Sequence, residues 1–344
     1  MAEWIVYVPP GQLNEATSYY IETVISAGRA LGFEPRIVDS LWRVPWHANV
    51  LVVECKSAFK LRVARPQVHY WLWMQGIVPE EARLQFGSRW REALWTLFER
   101  STLPRARGVL MVSQAMRRHF ADKYGFARLP AFVMPCANAA LHPESFQVPH
   151  KYEKPRFVYA GSMHAWQCFD LTLDVYRRVK AKFPKATLTV LTSEKALAQR
   201  AVEASNVIDV DIGFVPLDEL QATLANYKYG FVLREQHVVN RVATPTKVSS
   251  YMAAGVIPVM TSAVGDYVSA LDGVDPLVLC RQFDAASIAQ AIIDLQAREL
   301  RPDAVLKSYT AVFARYFDHA AYAVPLRDFL RTTGLKPVTA HHVA

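Results

Sequence analysis

Short apolar runs alternate with helical patterns along most of the chain, and this alternation is the main structural signal in the sequence. Apolar runs bounded by Pro, Gly or polar clusters predict buried β-strands. The predicted strands are Trp4–Val8, Pro35–Val38, Val50–Cys55, Val68–Met74, Gly108–Val112, Ala131–Met134, Arg156–Ala160, Thr187–Leu191, Val207–Val210, Tyr229–Leu233, Val256–Met260 and Pro276–Leu279. Between them, apolar residues recur at helical spacing, as in the set Phe169, Leu173, Tyr176, Val179 and Phe183.

Strands that alternate with helices build βαβ units, and consecutive units form a parallel sheet covered by helices on both faces. Each half of the chain holds about six predicted strands, so we predict an α/β protein with two doubly wound Rossmann-like parallel-sheet domains that face a cleft. The Pro-rich segment His142–Pro155 has the composition of a linker. We therefore predict domains at 1–145 and 146–305, a terminal helix over 306–332 that packs back on the first domain, and a flexible tail over 333–344.

Composition excludes several classes of protein. Of the 344 residues, 52% are apolar and 12% are aromatic, so the chain can bury a core and is not disordered. Every long apolar stretch is interrupted well short of the ~18 residues that a membrane-spanning helix needs. The four cysteines form no CxxC pair, and the segment Met1–Trp4 lacks the basic region of a signal peptide. We therefore expect a cytoplasmic location, with peripheral attachment to the inner face of the membrane as an open alternative.

Positive charge is concentrated in one part of the first domain. Between Lys56 and Arg128, 14 Lys and Arg residues stand against 5 Asp and Glu residues, a net charge of +9, whereas the whole chain carries +8. Such a region suits a phosphate-bearing substrate, an anionic membrane surface or nucleic acid, or it serves solubility alone. The sequence contains no RRM, KH or zinc-finger pattern, so we do not expect a nucleic-acid partner.

The strongest local signal is the segment Asn240–Val259. Thr244, followed by a proline, has the chemistry of a helix N-cap, which places Lys247 in the first helical turn. Arg234 closes the preceding predicted strand, and Arg241 lies in the loop between them. Because a helix N-terminus offers unpaired N–H groups and a positive dipole end, these cations predict a site for a diphosphate. The alternative is a surface helix with incidental basic residues.

A second signal follows the predicted strand Arg156–Ala160. Gly161 and Ser162 end that strand, and Trp166 and Gln167 lie shortly before the next helix. Glycine at a strand end lets the backbone approach a ligand closely, Ser162 can donate to a phosphate, and Trp166 can cover a base or sugar ring. The alternative is a tight strand–helix turn with a buried Trp. The sequence lacks GxGxxG and Walker-type patterns, so neither a nicotinamide nor a Walker-type nucleotide site is indicated.

A third signal lies at the end of a first-domain strand, where Gln75 and Gly76 precede two carboxylates, Glu80 and Glu81. Carboxylates at the ligand edge of a sheet can act as acid or base, or can bind sugar hydroxyls. The alternative is that both occupy the first turn of the next helix, where negative charge is favoured.

The segment Arg89–Arg100 predicts an amphipathic helix with a broad apolar face beside basic residues. That face consists of Trp90, Leu94, Leu97, Trp95 and Phe98. A peripheral membrane helix has this composition, and so does a packed surface helix. The spacing of histidines and carboxylates predicts no metal site.

The second half of the chain resembles the donor domain of family 4-type retaining glycosyltransferases (glycosyl transferases group 1), which have the GT-B architecture. The resemblance rests on a glycine-containing strand end, a segment similar to the family's P-x-K…E-Y-M-A-x-G-x-P-V pattern, and a terminal helix. These correspond to Tyr159–Ser162 with Trp166 and Gln167, to Pro245–Lys247 with Tyr251–Gly255 and Pro258–Val259, and to Leu306–Leu330. In the first half, Gln75–Glu81, Val112–Met116 and Met134–Cys136 resemble acceptor-domain landmarks.

The resemblance implies a glycosyltransferase (EC 2.4 class) that moves a sugar from a nucleotide-diphosphate sugar to a saccharide or lipid-linked acceptor, retaining and metal-independent, in polysaccharide or glycoconjugate biosynthesis. No cofactor is implied beyond the donor itself. Arg234 and Lys247 would stabilise the leaving diphosphate, and Glu80 or Glu81 would orient hydroxyls. The implied donor-binding residues are Gly161, Ser162, Trp166, Gln167, Arg241, Thr244, Thr246 and Ser250, and the implied acceptor-side residues are Gln75 and Gly76.

The sequence departs from the family pattern at several of these positions. Ser250 stands where the family usually has a Glu that contacts the donor ribose, and Ser162 stands where it often has an Arg. A His-Gly pair of the family is Gln75-Gly76 here, and a common Lys is replaced at Trp166-Gln167. Three alternatives therefore stay open: a catalytically degenerate nucleotide-sugar-binding protein, a nucleotide-sugar epimerase of the same architecture, and a membrane-associated assembly protein.

Overall fold

The fold consists of two six-stranded parallel β-sheets. The computed structural model describes residues 3–12, 15–125 and 128–336. The strands are β1 Trp4–Tyr7, β2 Arg36–Val38, β3 Asn49–Val53, β4 His69–Met74, β5 Gly108–Met111, β6 Ala131–Val133, β7 Arg156–Ala160, β8 Thr187–Leu191, β9 Val210–Gly213, β10 Tyr229–Val232, β11 Ile257–Thr261 and β12 Val278–Cys280. The first six strands form one sheet and the last six form the other, as predicted.

Helices separate almost all of the strands, so the chain consists of βαβ units. The helices are α1 Glu15–Ala30, α2 Cys55–Ala64, α3 Val78–Phe86, α4 Arg89–Thr102, α5 Gln114–Tyr124, α6 Phe169–Lys182, α7 Lys195–Ser205, α8 Leu217–Leu224, α9 Val238–Val242, α10 Thr246–Ala253, α11 Gly265–Ala270, α12 Ala285–Gln296, α13 Pro302–Val312 and α14 Ala320–Thr332. Parallel strands joined by crossover helices give doubly wound, Rossmann-like units, and the predicted fold class is confirmed.

The chain divides into two structural units. Unit 1 comprises Met1–Cys136, Val242–Thr244 and Asp318–Ala344, and unit 2 comprises Ala137–Arg241 and Pro245–Phe317. These bounds differ from the predicted division at 145 and 305. The cleft predicted between the two domains stays a prediction.

In unit 1 the strand order is β2-β1-β3-β4-β5-β6. Strands β1, β3 and β4 are almost wholly buried, which is why they appear in the sequence as unbroken apolar runs. Trp4, Trp71 and Trp73 lie at the centre of the core, where Trp73 stacks on Tyr20 of α1 with ring centroids 4.1 Å apart. Helix α14 packs against α1 and completes this core with apolar side chains.

In unit 2 the strand order is β12-β11-β10-β7-β8-β9. Strands β7 and β10 are direct neighbours, with Tyr229 paired to Phe157. Because the two strands are parallel, the residues that follow them, from Gly161 and from Leu233 onward, emerge at the same edge of the sheet. This edge positions the site described below.

The strand predicted at Val207–Val210 begins three residues later in the structure, as β9, Val210–Gly213. Ile208 is exposed, and both Asn206 and Asp209 have positive φ angles, so this stretch is a turn. Pairing with β8 begins only at Val210, opposite Leu188.

The predicted linker over 142–155 is not a linker. Phe146 is fully buried, Tyr152 Oη donates to the Gly255 carbonyl at 2.9 Å, and Lys151 Nζ donates to the carbonyls of Ser145 and Ala254. The prolines interrupt regular structure here, but the aromatic side chains supply enough burial to attach the segment to unit 2.

The predicted single helix over 306–332 is two helices, of which only the second, α14, packs on the first unit. Helix α13 and a π-helical turn, Phe313–Phe317, belong to unit 2, whereas α14 belongs to unit 1. The predicted flexible tail begins as ordered structure, since Leu335 is fully buried and Thr333 Oγ1 accepts a hydrogen bond from Trp71 Nε1 at 2.7 Å. Residues 337–344 of that predicted tail lie outside the described residues.

Candidate functional site

A glycine and a lysine meet at the carboxyl end of β7. Gly161 has φ = +136°, a conformation that side-chain-bearing residues rarely adopt. A Cβ at this position would lie 2.6 Å from Cε and 2.8 Å from Nζ of Lys247. The absence of a side chain on Gly161 therefore lets Lys247, from the first turn of α10, lie across the end of β7.

The start of α10 differs from the sequence prediction. Pro245 is the N-cap, with ψ = 119°, and Thr246 is the first helical residue. Thr244 is not the cap: it belongs to unit 1, where its Oγ1 accepts a hydrogen bond from the Cys136 N–H at 3.2 Å. Lys247 remains in the first turn, as predicted.

Lys247 lies in a pocket of neutral groups. Its Nζ donates to Gln167 Oε1 at 2.6 Å and lies 4.4 Å from the centroid of the Tyr159 ring. Burial lowers the pKa of Lys247 well below its ordinary value, and the nearby Arg234 lowers it further. Among the described residues, no carboxylate forms an ion pair with this ammonium group.

Arg234, two residues after β10, is the second cation of the site. It is 4% exposed, and its Nη1 donates to the Trp166 carbonyl at 2.9 Å. Its Nε is buried and has no hydrogen-bond partner within the described part of the chain. Burial lowers the pKa of Arg234. Neither Arg234 nor Lys247 forms an ion pair with a carboxylate of the described residues, so the site holds two basic groups without a counter-charge.

The loop between β7 and α6 connects these groups. Gln167 bridges the site, because its Oε1 accepts from Lys247 while its Nε2 donates to Ser162 Oγ at 3.4 Å. The Ser162 carbonyl accepts from Tyr159 Oη at 2.6 Å. The Trp166 indole stacks on His164, with ring centroids 4.5 Å apart. The structure thus brings together Gly161, Ser162, Trp166, Gln167, Arg234 and Lys247 within unit 2.

Two other predicted donor-binding residues have different surroundings. Arg241 is an exposed residue of α9. Ser250 is buried, and its Oγ donates to Asn138 Oδ1 at 2.7 Å and to the Thr246 carbonyl at 3.1 Å. Asn138 was not predicted, because it is far from α10 in sequence and belongs to no recognisable motif.

The structure separates the two carboxylates predicted in unit 1. Glu80 Oε1 lies 2.7 Å from Lys123 Nζ and 3.2 Å from His119 Nε2, and these contacts outweigh burial, so the pKa of Glu80 is lowered. Glu81 instead accepts from the Ile77 N–H at 3.1 Å, and burial raises its pKa. Glu80 therefore belongs to an internal ion-pair network, and only Glu81 faces a cavity.

That cavity has a volume of about 360 Å³ and lies at the carboxyl ends of β3 and β4. The lining residues include Gln12, Glu54, Gln75, Gly76 and Glu81. A Cβ on Gly76 would lie 2.1 Å from Glu81 Oε1, so a larger residue there would displace this carboxylate. Glu54 was not predicted; its φ of +68° is strained for a non-glycine residue, at a cost of about 1–3 kcal/mol.

Most of unit 2, including Arg234 and Lys247, matches a known protein family. The family model described as glycosyl transferases group 1 matches residues 154–298. This stretch is a glycosyltransferase group 1 domain. The predicted resemblance and the predicted enzyme class are thereby confirmed for this domain, which contains Gly161, Arg234 and Lys247. No curated protein matches the chain in sequence.

Solved structures share the fold of the whole chain. A sucrose-phosphate synthase from Thermosynechococcus elongatus aligns with a TM-score of 0.72 at 13% identity, over 96% of this chain and 99% of that chain. A trehalose 6-phosphate synthase from Burkholderia multivorans aligns with a TM-score of 0.61 at 11% identity, over 92% of this chain and 78% of that chain. At these identities the likeness confirms the GT-B fold.

A third structure is a TarM mutant from S. aureus in complex with fondaparinux, alpha-GlcNAc-glycerol and UDP. It aligns with a TM-score of 0.60 at 12% identity and covers 81% of this chain. The present chain spans only 55% of the TarM chain.

Proposed function

We propose that this protein transfers a sugar from a nucleotide-diphosphate sugar, held by the glycosyltransferase group 1 domain, to a saccharide or lipid-linked acceptor. The observation that carries the proposal is a pair of cations, the buried Arg234 and the half-buried Lys247, at the carboxyl ends of β7 and β10. Burying a charge without a counter-charge costs several kcal/mol, so a site with two such charges is built for an anion.

A diphosphate suits this site better than a single carboxylate. Two cations can share the charge of two phosphates, and the Thr246 amide in the first turn of α10 adds a helix N-terminus. The unpartnered Nε of Arg234 is a donor that an anion would satisfy. The TarM structure was determined with UDP, which supports a nucleoside diphosphate as the chemical class.

The chemistry of transfer follows from this charge distribution. When the anomeric C–O bond breaks, negative charge develops on the leaving diphosphate while the sugar becomes oxocarbenium-like. Arg234 and Lys247 would stabilise that developing charge, which is the role that a divalent cation performs at other sites. We propose retention of the anomeric configuration on the family resemblance, and a role in polysaccharide or glycoconjugate synthesis on the same basis.

The cavity of unit 1 is our candidate for the acceptor. Its carboxylates, Glu54 and Glu81, and its amides, Gln12 and Gln75, are groups that bind hydroxyls. The Gln12 Oε1 atom is buried without a hydrogen-bond partner in the part of the chain that the structure describes, so it is available to accept from a hydroxyl. Glu80 has no place in this proposal, because its carboxylate is bound by Lys123 and His119.

A second candidate function is a sugar-nucleotide-binding protein without turnover. The hydrogen bonds of Ser250 to Asn138 and to Thr246 favour it, because they leave this hydroxyl engaged inside unit 2 at a position where the family usually has a Glu. Both candidates bind a nucleotide, so binding alone does not distinguish them.

The experiment is a thermal-shift screen against UDP-, GDP-, CMP- and dTDP-sugars, followed by assay of donor hydrolysis on every hit. We expect one nucleotide class to stabilise the protein and to be hydrolysed slowly without acceptor. Binding without hydrolysis or transfer would favour the second candidate, and no shift with any nucleotide would contradict both.

A further inference from the structure

Helix α4 is amphipathic, but part of its apolar surface faces outward. Trp95 and Phe98 pack inward, with Phe98 5.1 Å from Phe59 of α2 between ring centroids. Trp90 is 66% exposed and Leu97 is 57% exposed, with Leu94 between them. The three outward residues have i, i+4, i+7 spacing, so they form one continuous stripe on the helix.

Helix α2 runs parallel to α4 and extends this surface. Lys56 lies over the Trp95 ring at 5.5 Å, and Arg62 Nη1 donates to the Ser101 carbonyl at 2.7 Å. The two contacts are six residues apart on both helices, so α2 and α4 lie side by side and run in the same direction. The outward positions of α2 are Lys56, Lys60 and Val63.

Exposed tryptophans follow at the end of α2. Trp42 is 80% exposed and Trp46 is 53% exposed, and Arg65, the residue after α2, lies 4.4 Å from the Trp46 ring centroid. At the other end, Phe86 of α3 is exposed and lies 4.3 Å from the Arg91 guanidinium. We call this combination of α2, α3, α4 and the Trp42–Trp46 loop the α2–α4 face.

The charge of the α2–α4 face is almost entirely positive. Its exposed cations are Lys56, Lys60, Arg89 and Arg100, and the half-buried Arg91 lies against Phe86 and Trp90. The nearby acidic residues Glu80, Glu81 and Glu99 are turned inward, as their hydrogen bonds show. Glu92 is half-buried and lies 3.9 Å from Arg83.

We propose that the α2–α4 face docks on an anionic lipid bilayer surface. Interfacial helices combine Trp and Leu that enter the headgroup region with Lys and Arg that contact anionic lipids, and this face has both. A second copy of the chain fits less well, because a two-fold interface would set the same cations against one another. No helix among the described residues is long and apolar enough to span a membrane, so the attachment is to the surface.

The test is flotation with vesicles of phosphatidylcholine alone or of phosphatidylcholine mixed with phosphatidylglycerol. We expect the protein to float with the anionic vesicles at low salt and not with the neutral ones. The double variant Leu94→Glu/Leu97→Glu should lose flotation. The double variant Arg89→Ala/Arg100→Ala should bind about 30-fold more weakly, since each basic residue near an anionic surface contributes about 1 kcal/mol.

Matched controls come from unit 2, which also exposes an apolar residue, Ile208, and an arginine, Arg200. Ile208→Glu and Arg200→Ala should leave flotation unchanged, and thermal denaturation should show that all variants fold. Failure of the wild-type protein to float with anionic vesicles would overturn the inference. So would an equal loss in Ile208→Glu, or a dimer by light scattering that Leu94→Glu/Leu97→Glu converts to a monomer.

The inference is independent of the donor site. Leu94→Glu/Leu97→Glu should keep the thermal shift with nucleotide, because none of these residues belongs to unit 2. A protein that floats but binds no nucleotide would contradict the proposed function and leave the bilayer inference standing.

Discussion

Replacing Lys247 with methionine should leave the protein at least as stable as the wild type while strongly lowering nucleotide binding or transfer. Methionine keeps the length of the side chain and removes the charge, so the packing across Gly161 is preserved. In the free protein the ammonium group contacts two neutral groups, Gln167 and Tyr159, and burial and the nearby Arg234 lower its pKa. Because that buried charge is a cost to folding, we expect the Lys247→Met protein to be at least as stable as the wild type.

The functional loss can be worked from the geometry. A phosphate about 4 Å from Nζ gains about 4 kcal/mol at an effective dielectric constant near 20. Loss of a single electrostatic stabiliser commonly costs about 3 kcal/mol, so nucleotide binding or transfer should fall about 10²-fold or more. The assays are calorimetric titration with the nucleotide identified in the screen, donor turnover, and urea unfolding.

Lys228 provides the matched control. It lies immediately before β10, at the opposite end of that strand from Arg234; it is 0% exposed, and burial lowers its pKa to about 8. A fall in pKa from 10.5 to about 8 corresponds to roughly 3 kcal/mol at neutral pH. Since the pKa is lower in the folded state, this cost is complete below about pH 8 and disappears as the pH rises to about 10.5.

Lys228→Met should therefore be more stable at neutral pH, lose that advantage at high pH, and bind nucleotide normally. Near-normal turnover in Lys247→Met would remove Lys247 from the site. An equal loss of binding in both variants would show that the effect comes from the loss of any buried lysine, and the argument from local charge would fail.

Three further predictions test other parts of the structure. Gly161→Ala should lose the nucleotide thermal shift, because its Cβ would collide with Lys247, whereas Gly213→Ala, whose Cβ would meet only Leu191 at 3.9 Å, should retain it. Glu81→Gln should lower transfer to acceptor at least about tenfold with donor hydrolysis unchanged, and a parallel fall in hydrolysis would argue against an acceptor role. His319 has a pKa lowered by burial, so the unfolding free energy should decrease as the pH falls below 6.5, and His319→Gln should remove this dependence in urea titrations.

Most strands could be predicted from the sequence because buried parallel strands must be apolar on both faces. Tyr229–Val232 and Asn49–Val53, for example, are buried at every position and appear in the sequence as short apolar runs. The strand start at Val207 and Ile208 was predicted wrongly, because an apolar pair in a surface turn has the same composition as the start of a buried strand. Burial of Phe146 could not be predicted either, since it depends on contacts with parts of unit 2 distant in the sequence.

The cation pair was predictable because each residue follows a recognisable local element. Arg234 follows a strand, and Lys247 begins a helix, so strand neighbours alone bring them to one edge. The different roles of Glu80 and Glu81 were not predictable. Adjacent residues on a helix point about 100° apart, and only the positions of Lys123 and His119 decide which carboxylate is sequestered.

The placement of α14 has a consequence for how this protein is made. Leu326, Leu330 and Leu335 are fully buried in the core of unit 1, yet they leave the ribosome only after all of unit 2. Unit 2 is complete once Phe317 has emerged, whereas the sheet of unit 1 must wait for α14. A nascent chain that stops before α14 would thus carry a finished unit 2 and a unit 1 with an open core, a form that proteases should remove selectively.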